Sequence, residues 1–467
     1  MFHKRLLGRM STAGVIVGLA LSAPGLALPA APLSQIVSPP VVAYASGTAE
    51  GATLQHITLE QAIARTLSSS RNARQLQYSM QIVDLQKQLS EDGKEKIDDL
   101  KEALDRQIEA LWMQIIVLAQ LFATPAEGSG STDQAPESTD QSLAPPVLDP
   151  ASEIEQLNRK IQELEQQRKD LDFKGDELDK QIEDYKRQKE KIDLNVATLR
   201  ETLISGVKQV YVGLLNVQDQ LDLLKMQARI AEREVTAAQE RYALGLISRE
   251  ARDQAGRSAR DLALAAAQAD RAYGQLRDTF AAWIGVPVSA DLVLEPIAFD
   301  PQAVQIDLQE ADTWIQQSFS YRQAELDLRQ ARADERYYRQ ERDRGNPQYE
   351  DTKAGKIAEN TVKIKELALA QTEADIRRAV QDLLRDAENT RDEFERAKQK
   401  WQEATNDVSG VFKREELGLI SALDADRARL KTKQAAVQMD EAKRAYFLAV
   451  EKLEALKRGY IEVNNRG

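Results

Sequence analysis

The side chains that usually carry out acid–base, nucleophilic or metal chemistry are scarce or scattered in this sequence. The 467 residues include no cysteine and only two histidines, His3 and His56. This excludes thiolate chemistry, disulfide bonds and any site built from several histidines. The 75 acidic residues are accompanied by no nucleophile motif and no glycine-rich phosphate loop. We therefore expect no catalysis, no cofactor and no bound metal.

The composition is typical of long helices. Charged residues make up 30% of the chain and aromatic residues 5%, and such a profile favours coiled coils over an ordinary globular core. The formal net charge is −12, and the basic residues form no block of their own. We therefore predict an all-α protein that does not bind nucleic acid.

One five-residue sequence, Leu-Gly-Leu-Ile-Ser, occurs twice, and the copies lie 173 positions apart. At the same offset, Arg-Ala-Tyr at 271–273 matches Arg-Ala-Tyr at 444–446, which indicates a duplicated helical hairpin. A glycine that follows a helix accepts the left-handed backbone of a helix end, and a serine can cap the returning helix. The two predicted hairpin tips consist of Leu244, Gly245, Leu246, Ile247 and Ser248, and of Leu417, Gly418, Leu419, Ile420 and Ser421.

The apolar residues of these tips allow two interpretations. A turn at the end of a long hairpin needs no exposed leucine for its own folding, so the leucines could form a contact surface for a partner. Alternatively, they only pack the last turn of each helix.

The N-terminus predicts export. A basic start is followed by an apolar run over 13–28, and Ala43-Tyr44-Ala45 fits a cleavage site. We predict a signal peptide over 1–45 and a mature start near Ser46. The alternative is an uncleaved anchor helix.

The helical pattern and the repeat divide the mature chain into four segments. A lead-in covers 46–57, a first hairpin repeat 58–290, a connector 291–305 and a second hairpin repeat 306–467. A short strand is expected around 292–294. The segment 123–150 is rich in Pro, Gly, Ser and acidic residues and predicts a disordered linker.

The first hairpin is longer than the second in both arms. Helical pattern covers 59–122 and 151–244 in the first repeat, but only 308–342 and 353–417 in the second. Each arm is therefore longer by about 29 residues, or ~44 Å of helix. Heptads in the returning arm support a coiled-coil extension over about 94–122 and 151–180. The heptad residues of the returning arm are Leu157, Leu164, Leu171, Leu178, Tyr185, Ile192 and Leu199.

The outgoing arm ends in a segment, 112–122, that is apolar nearly all round. It is too short to cross a bilayer. It could pack on the returning arm and on neighbouring subunits, or it could contact a membrane surface or another partner. The candidate residues are Trp112, Ile115, Ile116, Leu118 and Phe122.

Taken together, these features resemble the TolC-like outer-membrane efflux protein family over 58–460. The likeness rests on the opening helix from Ile57-Thr58-Leu59-Glu60, on the two tip segments 241–248 and 414–421, and on the closing Gly285-Val286-Pro287. The resemblance implies a homotrimer in the outer membrane and periplasm, with a hollow α-helical tube. Its tips would meet a periplasmic adaptor protein that connects the tube to a pump.

In the family, carboxylates six and nine residues after the second tip glycine narrow the duct. Here Asp424 matches the first position, whereas the second is Arg427, so Asp426 is the substitute candidate. The alternative for Asp424 is an ordinary acidic residue in the first turn of a helix, which the helix dipole favours.

The sequence departs from the family where membrane strands are expected. Such strands need about 9–11 residues of alternating apolar character with aromatic girdles. The linker 123–150 has almost no large apolar residues, and only about ten residues separate the second pair of helices. We therefore expect the membrane β-strands to be absent. In a cell with one membrane, the location would be the extracytoplasmic wall space.

Two functions remain open from the sequence. The first is a passive efflux or secretion duct that works with an adaptor and a pump. The alternative is a non-conducting coiled-coil scaffold of the cell envelope.

Overall fold

The computed structural model describes residues 55–123, 150–287, 292–302, 311–346, 349 and 352–462. The predicted signal peptide, its cleavage site, nearly all of the lead-in and almost the whole linker 123–150 lie outside the described residues. The prediction that this linker holds no membrane strands therefore stays a prediction.

The prediction of an all-α fold is confirmed. The described residues form eight helices and two three-residue strands, and the strand expected at 292–294 is one of them. In chain order the elements are β1 (Gln55–Ile57), α1 (Leu59–Ser69), α2 (Arg71–Ala123), α3 (Pro150–Ala243), α4 (Arg249–Trp283), β2 (Leu292–Leu294), α5 (Ala311–Gln317), α6 (Phe319–Asp343), α7 (Thr352–Glu416) and α8 (Ala422–Lys457).

Both outgoing arms are broken helices, which the sequence analysis did not predict. Ser70 separates α1 from α2, and its hydroxyl oxygen accepts a hydrogen bond from the Ala73 amide at 3.3 Å. Ser318 separates α5 from α6, and its hydroxyl oxygen accepts from the Tyr321 amide at 3.3 Å. A serine that caps a new helix competes with the continuous hydrogen-bond ladder, which explains both breaks.

The helices α2 and α3 form an antiparallel pair with one register along its length. Ion pairs join Asp84 to Lys189 (2.7 Å) and Lys101 to Asp172 (2.9 Å). Between them, the side chain of Ile97 lies 3.8 Å from the position that a Cβ would take on Gly175. The constant register is what a coiled coil requires, because each heptad must meet the corresponding heptad of its partner.

The first hairpin continues past the end of the second. Arg344, just after α6, forms an ion pair with Asp176 of α3. From Asp176 back to Pro150, α3 runs on for 26 residues, or ~39 Å at 1.5 Å per residue. The predicted coiled-coil extension lies in this part of the hairpin.

The long helices form a layer with α3 inside it. At one end α3 packs between α2 and α6, and α7 lies beyond α6; at the other end α3 packs between α4 and α8, and α7 lies beyond α8. The layer therefore has two edges, one formed by α2 and α4 and the other by α7.

A small core joins the two strands to this layer. β1 pairs with β2 in parallel, and Ile57 and Leu294 face each other in the register. The hydroxyl oxygen of the buried Tyr211 on α3 lies 2.8 Å from the carbonyl oxygen of Ile57 and 2.7 Å from that of Glu295. Burial raises the pKa of Tyr211 to about 12, so this anchor stays protonated at neutral pH.

Candidate interaction surfaces: hairpin tips, helix edges and the acidic turn

The two hairpin tips have the same backbone. Gly245 and Gly418 have φ angles of 73° and 69°. In the first tip, the amide of Leu246 donates to the carbonyl oxygen of Arg241 at 2.8 Å; in the second, Leu419 donates to Arg414 at 2.8 Å. These 6→1 bonds define a Schellman helix end, which needs a left-handed residue and therefore favours glycine.

A serine begins the returning helix in both tips. The hydroxyl oxygen of Ser248 accepts a hydrogen bond from the Ala251 amide at 3.1 Å, and that of Ser421 accepts from the Asp424 amide at 3.2 Å. Both turns are therefore held by hydrogen bonds between residues of the tip itself.

The leucines of both tips point into solvent. The exposed fractions are 74% for Leu244, 69% for Leu246, 72% for Leu417 and 68% for Leu419. Ile247 and Ile420 are half-buried. The leucines therefore contribute little to the packing of the hairpins, and four apolar side chains stay exposed at the tips.

Asp424 is exposed, and its carboxylate is engaged within its own turn. One oxygen accepts a hydrogen bond from the Ser421 hydroxyl at 2.7 Å, and the other lies 3.4 Å from Nη1 of Arg427. The hydrogen bond from Ser421, together with the charge of Arg427, lowers the pKa of Asp424 below its ordinary value. Asp424 therefore keeps its negative charge at neutral pH.

Asp426 has a setting that does not fit an exposed constriction residue. Its side chain is 9% exposed and forms ion pairs with Arg233 and, at 2.8 Å, with Arg429. Burial opposes its ionisation, but the hydrogen bonds from the two arginines hold its pKa below the ordinary value. Asp426 lies two positions after Asp424, which places it on the opposite side of the helix. In this chain it connects α8 to α3, and we no longer propose it for the constriction.

Two α3 residues that were not predicted from the sequence complete this network. Glu234 accepts hydrogen bonds from Nε and Nη2 of Arg427 at 3.0 and 2.7 Å. Arg233 and Glu234 are each 193 positions from their α8 partners, and the sequence carries no signal that brings these segments together. The arginine at the ninth position is therefore tied to α3.

Exposed apolar side chains follow the two edges of the helical layer, and these were also missed. On α2 they are Tyr78, Ile82, Leu85 and Leu89, with exposed fractions of 64%, 56%, 60% and 70%. On α7 they are Ile357, Ile364 and Leu367, with 67%, 63% and 72%. The spacing of three and four residues on α2 is a heptad pattern that could have been found from the sequence.

A row of ion pairs across four helices shows that these edge residues stand at one level. Asp84 of α2 pairs with Lys189 of α3, and two residues further along α3 Lys191 pairs with Asp327 of α6 at 2.6 Å. Asp327 also pairs with Lys365 of α7 at 3.0 Å. Burial resists the charge of Asp327, but the two lysines lower its pKa. Asp84 and Lys365 lie directly beside the apolar residues of their edges.

The predicted patch at the end of α2 divides into two faces. Ile115 and Leu118 are half-buried and lie at the spacing of the seam with α3. Trp112 and Ile116 are 45% and 47% exposed, and Met113 and Val117 join them with 61% and 53%. The side chain of Phe122 lies outside the described residues.

None of the described helices has both the length and the apolar character that crossing a membrane requires. Within the same part of the chain, no cluster of three or more His, Asp or Glu residues is arranged to hold a metal ion.

Comparison with known proteins identifies the fold. No protein-family model matches the sequence, and no curated protein sequence does. The structure is similar to that of CusC, with a TM-score of 0.50, 13% identity and coverage of 88% of this chain and 95% of that one. It is also similar to the CmeC outer membrane channel of Campylobacter jejuni (TM-score 0.43, 14% identity, 61% of this chain and 68% of that one). A third similar structure is the outer membrane protein VceC of Vibrio cholerae (TM-score 0.43, 13% identity, 61% of this chain and 76% of that one).

These likenesses concern the fold and not the sequence. The chain has the long, duplicated helical hairpins of a TolC-like protein, and the resemblance drawn from the tips is confirmed at that level.

Proposed function

We propose that this chain is a passive duct of the cell envelope, which acts in efflux or secretion together with an adaptor protein and a pump. The observation that carries the proposal is the pair of identical tips with four exposed leucines. Apolar side chains that stay exposed in the isolated chain are favourable when a partner protein covers them, because covering them removes apolar surface from water. The similar structure of CusC is that of a protein that forms a transmembrane channel, which supports transport over catalysis.

The two apolar edges support a homotrimer. The α2 edge and the α7 edge are different surfaces, so their contact would be head-to-tail between copies of the chain. A head-to-tail contact closes into a ring only when successive copies are related without a shift along the axis. The level shared by Asp84 and Lys365 within one chain supports a contact of this kind. Three copies is the number that the resemblance implies.

Asp424 is the proposed residue of the acidic constriction. It is exposed, ionised and close to the second tip. Its partner Arg427 makes the local charge less negative than a pair of carboxylates would, so we expect a weaker preference for cations.

The experiment compares tip variants in the organism that encodes the protein. Leu246→Asp with Leu419→Asp should raise the accumulation of a fluorescent efflux dye to the level of a deletion strain, because adaptor contact is lost. The matched control, Leu246→Met with Leu419→Met, retains apolar tips and should export normally. Normal dye export in both the aspartate variant and the deletion strain would refute the duct.

The alternative function is a non-conducting scaffold of the envelope, and the same strains distinguish it from the duct. It predicts unchanged dye export together with altered envelope integrity in the deletion strain. We place the protein in the envelope, in the outer membrane and periplasm or in the wall space of a cell with one membrane.

A further inference from the structure

The two helices of the coiled-coil extension expose different kinds of side chain. We define the distal face of α2 as Trp112, Met113, Ile116 and Val117, all of them exposed. At the same end of the hairpin, the exposed side of α3 carries Glu153, Glu155, Arg159 and Lys160. One helix of the pair therefore presents apolar surface, and the other presents charge.

The distal face continues the apolar edge of α2. Met113 stands five heptads after Tyr78, and Val117 stands five heptads after Ile82. In a helix that supercoils with its partner, positions separated by whole heptads stay on one side. Between the two apolar stretches, these positions are occupied by exposed charged residues and alanines. They are Asp92, Lys96, Asp99, Ala103, Arg106 and Ala110.

The charged side of α3 argues against immersion of this end in lipid. Glu155 and Arg159 form an ion pair at 2.6 Å. Burying this pair in hydrocarbon would still carry a large desolvation cost, which the attraction between the two charges offsets only in part. A surface that is apolar on one side and charged on the other instead suits the inside and the outside of a helical bundle.

In the proposed ring, the distal face has no α7 edge opposite it. The second hairpin ends beside Asp176 of α3, and α7 begins only at Thr352. Beyond that level, what each neighbouring copy offers is its own extension, and the apolar part of that extension is its own distal face.

We propose that the three extensions of the trimer pack together through their distal faces around the threefold axis. The three α2 helices lie inside this six-helix bundle, and the three α3 helices lie outside with their charges in water. The partner is thus a second and a third copy of this chain. The inference rests on the proposed trimer and adds an assembly surface at the end of the hairpins opposite to the tips.

The absence of cysteine from the chain permits a direct test. Val117→Cys, in the mature protein starting at Ser46, is treated with a short bis-maleimide in detergent-free buffer and separated on a denaturing gel. We expect cross-linked dimers. The matched control Arg159→Cys, on the charged side of α3, should stay monomeric on the gel.

Variants of the distal face sharpen the result. In the Val117→Cys protein, Met113→Glu should reduce cross-linking at least several-fold, because it places charge in the centre of the bundle. Arg106→Ala, on the same side of α2 but between the apolar stretches, should leave cross-linking unchanged.

The possible failures are distinguishable by sedimentation equilibrium of the same samples. An intact trimer without a Val117→Cys cross-link would overturn the bundle and leave the duct in place. A monomer at all concentrations would overturn the trimer and the bundle together. Binding of the intact trimer to phosphatidylcholine vesicles, abolished by Met113→Glu, would assign the face to a membrane surface and also overturn the bundle.

Discussion

Among the described residues, five helices end in a glycine with positive φ, and all five ends have the same hydrogen bonds. They differ in the residue after the glycine. At three of them this residue is buried: Val286 is 3% exposed, Asn346 7% and Tyr460 9%. At the two tips it is a leucine with an exposed fraction near 70%.

A Schellman end usually places an apolar residue after the glycine against the preceding turn or the protein core. Val286 follows this rule, because it lies in the core that joins the strands to the helices. The tips keep the apolar residue but provide no core for it. The comparison shows that the same local sequence rule can bury an apolar residue in one place and leave it exposed in another.

The largest expected effect comes from placing charge at the buried end. Val286→Asp should lower the free energy of unfolding by about 3 kcal/mol or more, since it buries a carboxylate without a partner. The matched variant Leu246→Asp should change it by no more than about 0.5 kcal/mol. Urea unfolding followed by circular dichroism measures both. An equal loss of stability would remove the distinction between the two kinds of helix end.

The glycines themselves should differ in the same direction. Gly245→Ala should lower the free energy of unfolding by about 1–2 kcal/mol, because alanine is strained in the left-handed backbone. No packing cost is added, since a Cβ there meets no atom within 4 Å. At Gly459, a Cβ would lie 2.8 Å from Phe319 and 2.9 Å from the carbonyl oxygen of Gln317. Gly459→Ala should therefore lose a further 1–3 kcal/mol or so through overpacking. Equal midpoints in urea for the two variants would contradict this expectation.

The smallest expected effect is a pH-dependent stabilisation of the second tip that the first tip lacks. Because the pKa of Asp424 is lowered, the ionised carboxylate stabilises the second tip, and this stabilisation is complete at pH values above the ordinary aspartate range. That contribution is lost as the pH falls through the lowered pKa. Asp424→Asn should reproduce the loss at neutral pH, because the amide carries no charge.

Amide hydrogen exchange provides the measurement for this prediction. In Asp424→Asn, the protection factor of the amide at position 424 should fall at neutral pH. Ala251, at the equivalent position of the first tip, should keep its protection factor. A parallel fall at both positions would show that the tip as a whole responds, and not the Ser421–Asp424 pair.

Much of the fold could be predicted from short-range patterns. The glycine and serine of each tip fix a left-handed residue and a cap within eight residues, so both turns were found without knowledge of the rest of the chain. The heptads of α3 likewise predict a long helix with a partner. The breaks at Ser70 and Ser318 were missed, because a serine inside a helical pattern is as compatible with an exposed position as with a cap.

The candidate site was predicted less completely. The sequence predicts Asp424 for the constriction, with Asp426 as the substitute for the position that Arg427 occupies, but the two aspartates lie on opposite sides of α8. Only the packing of α8 against α3 decides that Asp426 meets Arg233 and is buried. The patch of α2 divided for the same reason, since Ile115 lies on the seam side and Trp112 on the exposed side.

The sequence by itself determined the elements whose causes are local: the long helices, the two tips, the strand near 293 and the absence of cysteine chemistry. Those features depend on backbone sterics and on hydrogen bonds between residues a few positions apart. Only the tertiary structure decided which apolar residues stay exposed, which carboxylates are neutralised, and that the α2 and α7 edges stand at one level. Exposure and pairing depend on neighbours that lie far away in the chain, 38 positions for Asp327 and Lys365 and 193 positions for Arg233 and Asp426. Local patterns contain no record of them.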